Sequence, residues 1–275
     1  MRKFKVGIVQ MNVSDNKDEN IKKAVSMIRQ AAKNGADLVV LPEIFMCPYD
    51  NKCFSVYAEE FPGECSKAMM SVAKESSIYL LAGSIPEKSD GKIYNTSYFY
   101  NREGELIARH RKMHLFDINI EGGQKFKESD VLTPGDDFTV VDTDLGKIGI
   151  GICYDIRFPE YFRALSMMGA ELILLPAAFN MTTGPAHWEI SVRMRAVDNQ
   201  VYMVAAAPAR DESSSYISYA NSMVVNPWGK VLACAGIEEG ILYSEINLED
   251  LKKTRKELPL LKHLRKDKYR LDLLD

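Results

Sequence analysis

Histidine is scarce in this chain. Four are present, at His110, His114, His187 and His263, and none forms a spaced cluster with cysteines, so the common zinc frameworks are excluded and no metal is expected. Cysteine is scarce too: five in 275 residues, an odd number at irregular spacing, make no disulfide framework. No apolar run is long enough to span a bilayer, and no signal-peptide pattern precedes the first strand. Neither sign of charge dominates. The 35 basic and 38 acidic residues leave a net charge of −3, which gives no nucleic-acid footprint. These absences leave a cytoplasmic protein with reduced thiols, whose partners are neither nucleic acid nor membrane. The rest is ordinary globular composition, 46% hydrophobic and 27% charged, enough for one domain over 1–275 without a metal or disulfide to hold its core.

The most informative stretch is Lys147-Ile148-Gly149-Ile150-Gly151-Ile152-Cys153-Tyr154-Asp155-Ile156-Arg157-Phe158-Pro159-Glu160. Its isoleucines and small glycines suit a strand packed on both faces. Cys153 falls at the strand end, and Pro159-Glu160 suits a first helical turn. A thiol at such a turn lies near backbone N–H groups, which favour both a thiolate and a developing oxyanion. Inert packing is the alternative reading of any free cysteine.

Around it the chain reads as alternating strands and helices. Residues 5–11 form a buried strand, a helix capped by Ser14 or Asp15 runs to Gly35, and 37–43 form a second strand closed by Pro42. This β–α–β unit is echoed later: 147–153 resembles 5–11, and Leu174-Leu175-Pro176-Ala177-Ala178-Phe179 resembles Val40-Leu41-Pro42-Glu43-Ile44-Phe45. Two such halves imply two similar sheets packed face to face with helices outside. Helices are also expected over 66–76, around His187 and over 248–255. Strands are expected over 78–85 and 201–207, a Gly-turn hairpin over 94–110, a long irregular loop over 118–134 including Gly122-Gly123, and a hairpin over 136–145 that leads to the cysteine strand. A last hairpin turns at Pro227-Trp228-Gly229, and 241–246 is one more strand. Ligands gather beyond the carboxyl ends of parallel strands, so Glu43 and Cys153 would share a pocket if both turns open at one edge. Glu43 is then either a base of raised pKa or a plain turn residue. Lys112, followed by Leu115 and Phe116, either dips inward to stabilise an anion or belongs to a solvated basic face.

Three motifs in this order carry a resemblance: Leu-Pro-Glu-Ile-Phe with Glu43, His-Arg-Lys-Met-His-Leu-Phe-Asp with Lys112, and Gly-Ile-Cys-Tyr-Asp-Ile-Arg-Phe-Pro-Glu with Cys153. The chain resembles the nitrilase superfamily of carbon–nitrogen hydrolases over nearly its whole length, and within it the omega-amidase branch. The resemblance implies a four-layer α-β-β-α sandwich with two pseudo-symmetric β-α-β halves, and a Glu43–Lys112–Cys153 triad with Glu128 as the second glutamate. It also implies homodimers or higher oligomers, with about 247–275 at the interface. The activity implied is hydrolysis of the terminal amide of a small dicarboxylic monoamide through a Cys153 thioester, with no cofactor. Tyr154 would supply an oxyanion N–H. Arg157 or Arg210 would take the far carboxylate, while Phe116, Phe179, Asn180, Thr182 and Tyr49 would line the pocket. Tyr219-Ala220-Asn221-Ser222 departs from the Gly-His-Ser type of segment expected there, and that departure leaves the substrate open.

Other readings stay beside this one. The same triad serves a deaminated-glutathione amidase or an N-carbamoyl amino acid hydrolase. His114 or His187 would be the base of a Cys–His hydrolase. A binding protein could keep the fold without the chemistry. A redox thiol would draw on Cys47, Cys53 or Cys65, whereas Cys234 reads as strand packing.

Overall fold

The computed structural model describes residues 3–122 and 124–273, so Gly123 of the expected loop lies outside the described residues. The first half runs β1 (Lys3–Gln10), α1 (Lys17–Lys33), β2 (Leu38–Val40), a short α2 (Asn51–Tyr57), α3 (Glu64–Ser76), β3 (Tyr79–Ser89), β4 (Lys92–Tyr100) and β5 (Leu106–Arg111). A small hairpin, β6 (Asp117–Asn119) with β7 (Lys125–Lys127), crosses the expected irregular loop, and a 3₁₀ turn, Glu128–Asp130, follows. The second half runs β8 (Thr139–Thr143), β9 (Gly146–Ile150), α4 (Pro159–Met167), β10 (Leu172–Pro176), α5 (Gly184–Asn199), β11 (Tyr202–Ala206), β12 (Met223–Val225), β13 (Val231–Cys234), β14 (Gly240–Asn247) and α6 (Leu248–Glu257).

The two sheets have the orders β14-β1-β2-β3-β4-β5 and β13-β12-β11-β10-β9-β8. Read from opposite ends they match strand for strand, in direction as well as order: one antiparallel pair, two parallel pairs, then two antiparallel pairs. Side-chain contacts repeat as well. Lys5 N–H donates to the Asp37 carboxylate at 2.9 Å, and Lys147 N–H to Glu171 at 3.1 Å. The echo in the sequence is therefore a complete structural repeat.

Alternation along the strands makes the layers. Val6, Ile8, Leu38 and Val40 of one sheet share a buried cluster with Ile148, Ile150, Leu172 and Leu174 of the other. Their strand neighbours face outward. Val39 and Leu41 pack on Ile21, Ala24 and Ile28 of α1, with Met69 and Val72 of α3. Ile173 and Leu175 pack on Phe162 and Leu165 of α4, with Trp188 and Val192 of α5. Three apolar seams separate four layers, and the fold is the α-β-β-α sandwich.

Several local expectations shift. The α1 cap is Asn16, whose side chain accepts from Glu19 N–H at 3.2 Å, because Ser14 is engaged with Asn20 instead. The strand before the thiol stops at Ile150, three residues short of Cys153. Cys234 is exposed on the edge strand β13 and packs no core. The strand over 78–85 extends to Ser89 and turns back through Asp90 and Gly91, both at positive φ.

Gly83 is required by packing. A Cβ on Gly83 would overlap the backbone carbonyls of Leu41 and Pro42, so the close approach of β3 to the turn that carries Glu43 depends on glycine there. Gly83→Ala should destabilise the protein by about 2–3 kcal/mol, because the obstacle is backbone that cannot move aside. Urea denaturation measures the loss, and an unchanged midpoint would refute the packing account.

Candidate active site

Glu43 leaves β2 through Leu41-Pro42, and the next residue, Ile44, has φ 51°. Cys153 itself has φ 43° and opens the 3₁₀ turn Cys153–Arg157. Positive φ is uncommon for a cysteine and strained for a β-branched isoleucine, and both turns hold it within a close-packed surround. Lys112 follows β5, and its backbone N–H donates to Asn95 O at 2.8 Å. The three side chains converge from two sheets.

The ammonium of Lys112 is wholly buried. It donates to Glu43 Oε1 at 3.0 Å and reaches both oxygens of Glu128 at 2.9 Å. Its approach to Tyr49 Oη, at 3.4 Å, is loose. Glu128 is also held by the Tyr49 hydroxyl at 2.5 Å and by Phe116 N–H at 2.6 Å. Asn95 Nδ2 donates to Glu43 Oε1 at 2.8 Å. Glu43 Oε2 has no hydrogen-bond partner among the described residues.

Charge follows geometry. Burial pushes the Glu43 pKa up, and Glu128 adds to that against the pull of Lys112. Burial works against the Lys112 ammonium, but Glu128 and Glu43 together outweigh it and raise its pKa. Burial raises the Cys153 thiol as well, and Glu43 pushes the same way, while Lys112 and the backbone N–H of Ala178 favour the thiolate. The thiol thus rests protonated beside a carboxylate of raised pKa. Thiol and carboxylate lie close enough to shift one another, but a hydrogen bond of ordinary geometry between them is not formed.

The other expected residues fall in different places. Phe116, Tyr154, Arg157 and Phe179 line a small cavity with Cys153. Tyr49 lines a neighbouring cavity with Glu43. Arg157 lies over the rings of Phe179 and Tyr154, at 5.0 and 5.6 Å, and its Nη1 meets His187 Nδ1 at 3.1 Å. Asn180 accepts from Thr183 N–H at 2.9 Å and so fastens the start of α5. Two expectations need correction. Thr182 is exposed, and Thr183 lines the thiol cavity instead, because the turn into α5 places its side chain inward. Arg210 lines neither cavity. It bonds Tyr219 O at 3.1 Å and lies 3.8 Å from Glu212. Cys47 and Cys65 are buried away from water, which raises their thiol pKa and makes them poor redox nucleophiles.

Sequence reading missed Asn95, Thr183, Tyr216 and Asp155. Asp155 was legible in principle, as an acid two residues past the thiol. It is buried, and accepts from Ile152 N–H at 2.8 Å and from His114 N–H and Nδ1 at 2.9 and 2.8 Å. It therefore ties the thiol turn to the segment after Lys112. His114 is committed to Asp155 and stacks on Phe158 at 3.7 Å, which leaves it poorly placed as a base for Cys153. Among the described residues no group of three or more His, Cys, Asp and Glu side chains could hold a metal ion.

A thiol, a carboxylate and an ammonium buried at one edge of an α-β-β-α sandwich define the carbon–nitrogen hydrolase class. The family description "Carbon-nitrogen hydrolase" matches residues 5–256, and the chain belongs to that family. It is 50% identical to the omega-amidase NIT2 of Mus musculus over 272 residues, 99% of each chain. Against the omega-amidase NIT2 of Homo sapiens it is 48% identical over 273 residues, again 99% of each. The crystal structure of Saccharomyces cerevisiae Nit3, a member of branch 10 of the nitrilase superfamily, superposes with a TM-score of 0.89 at 42% identity, covering 96% of this chain and 97% of that one. The chain is an enzyme, an amidase of this family.

Burial opposes ionisation of Asp155, but hydrogen bonds from His110 and His114 outweigh it and bring the carboxyl to about 2, from an ordinary 3.8. A depressed carboxyl stabilises the fold above its unfolded pKa and loses that as pH falls through the folded value. Asp155 should therefore contribute about 2 kcal/mol at neutral pH. The stability gap between wild type and Asp155→Asn, measured by urea denaturation, should narrow by that amount as pH falls from about 5 to 2. A gap independent of pH would contradict the assignment.

Proposed function

We propose that the enzyme hydrolyses the terminal amide of a small dicarboxylic acid monoamide, of the alpha-ketoglutaramate or succinamate kind, to the acid and ammonia. The observation that carries this is the Lys112 bridge between Glu43 and Glu128 beside the strained Cys153 turn. Glu43 takes the thiol proton as sulfur attacks the amide carbon. An ammonium has three donors. Two are engaged by the carboxylates, and the third, held only at 3.4 Å by Tyr49, is free to turn to the oxyanion. Tyr154 N–H is the second oxyanion donor. Glu43 passes the proton to the leaving nitrogen, ammonia departs, and a thioester remains. Water deprotonated by Glu43 then releases the acid and restores the thiol. Glu128 is a positioning residue: its carboxylate, fixed by Tyr49 and Phe116 N–H, holds the ammonium in place. No cofactor enters these steps.

The substrate follows from the relatives named omega-amidases and from Arg157, a half-buried guanidinium on the wall of the thiol cavity. A guanidinium there suits the far carboxylate of the substrate. The whole chain, 1–275, works as one hydrolase domain in the cytoplasm, which five free cysteines fit. It works as a homodimer or higher oligomer, to which the exposed Met167 beside the C-terminal tail is suited.

Ammonia release from alpha-ketoglutaramate and succinamate should be abolished in Cys153→Ala and fall at least about a thousandfold in Glu43→Gln. Wild type given hydroxylamine should form the hydroxamate, which reports the thioester. Release only from deaminated glutathione or N-carbamoyl-β-alanine would keep the chemistry and replace the substrate. Arg157→Met should cost about 10- to 100-fold in kcat/KM for carboxylate-bearing amides and little for a neutral amide such as butyramide. Equal losses on both would remove Arg157 from carboxylate recognition.

A further inference from the structure

Two cavities meet at the reacting groups, and Ala178 and Tyr216 line both. One, about 10 Å³, holds Cys153 with Phe116, Arg157 and Phe179. The other, about 40 Å³, holds Glu43 and runs out past Tyr49 to the half-buried Val13, Asp211 and Ser214. Tyr216 is the partition. Its ring packs on Tyr49 with centroids 4.6 Å apart, and its hydroxyl donates to Ala178 O.

A single water needs about 10–15 Å³ of such space. The smaller cavity has room for about one water, which an acyl group seated on Cys153 displaces, whereas the larger one takes about three molecules. Glu43 borders that larger cavity, and its Oε2 has no partner among the described residues. The rim carries a carboxylate and a hydroxyl, Asp211 and Ser214, that hold water well.

We infer that the chamber behind Tyr216 supplies the hydrolytic water to Glu43 while the acyl group occupies the Cys153 cavity. The inference rests on the thioester reading above. The amide and the water then reach the reaction from opposite sides of Tyr216. Water oxygen bonds to the thioester carbon as Glu43 takes its proton, the C–S bond breaks, and the proton returns to sulfur, so acid and free thiol are the products. Filling the chamber slows the second half-reaction and spares the first.

The test uses Ser214→Trp and Val13→Phe, which fill the chamber from two different segments at its rim, with thermal melting to confirm folding. The probe is whichever of succinamate, alpha-ketoglutaramate and deaminated glutathione wild type turns over fastest. Ammonia should appear in a burst of one equivalent per thiol at a rate within about twofold of wild type, followed by a steady state about tenfold slower. Acid-quenched enzyme should carry the acyl mass on Cys153. Burst and steady state falling together, or both unchanged in folded variants, would overturn the inference. Hydroxamate formation by wild type without acyl accumulation in either filled variant would refute the chamber alone. No hydroxamate and no adduct anywhere would overturn the thioester reading with it.

Discussion

One ammonium shared by two buried carboxylates organises this enzyme. Removing three charges from water is costly, and such a cluster persists only where each partner is bonded well. Here Lys112 meets Glu43 at 3.0 Å and Glu128 at 2.9 Å, Asn95 and Tyr49 add second bonds to the same two oxygens, and Phe116 N–H takes the other oxygen of Glu128. The charges do not cancel. Burial holds the Glu43 pKa up, and Glu128 adds to that against the pull of Lys112, which gives the property a general base needs near neutral pH. A packed apolar triad would serve stability as well or better, so the cluster is best understood through the chemistry proposed for it.

The repeat explains how that cluster is assembled. Each half delivers a Leu-Pro turn to the same edge of the sandwich. In the first half Leu41-Pro42 presents a carboxylate, Glu43. In the second, Leu175-Pro176 presents Ala177 and Ala178, whose backbone N–H faces the thiol. The halves also diverge in strain. Ile44 at φ 51° and Cys153 at φ 43° stand at non-equivalent turns, the first held by the Ser84 Oγ of β3 on Ile44 N–H, the second by its own Asp155 on Ile152 N–H.

Much of this was legible in the residues. Alternating buried strands, the doubled Leu-Pro turn and the three motifs point to the layered fold and to Glu43, Lys112 and Cys153. What escaped did so for physical reasons. The β3–β4 hairpin carried an Asp90-Gly91 signal, but the apolar runs on either side read as separate strands. Asn95 looks like any polar residue in a strand until the far side of the sheet brings Glu43 to it. Thr182 and Thr183 are indistinguishable by type, and only the turn into α5 decides which one faces the cavity. Tyr216 acts through a contact 38 residues away, which no local pattern encodes.

The central proposal is that a protonated Cys153 thiol is activated by Glu43. Its most direct test is the pH dependence of Cys153 alkylation by iodoacetamide, in wild type and in Glu43→Gln, with Lys112 intact in both. The account predicts that wild-type reactivity rises with ionisation of a carboxyl, well below the range of an ordinary thiol. In Glu43→Gln that limb should vanish, leaving reactivity only at pH values above the ordinary thiol range. Superimposable profiles in the two proteins would show that the thiol needs no carboxylate, and would contradict the account.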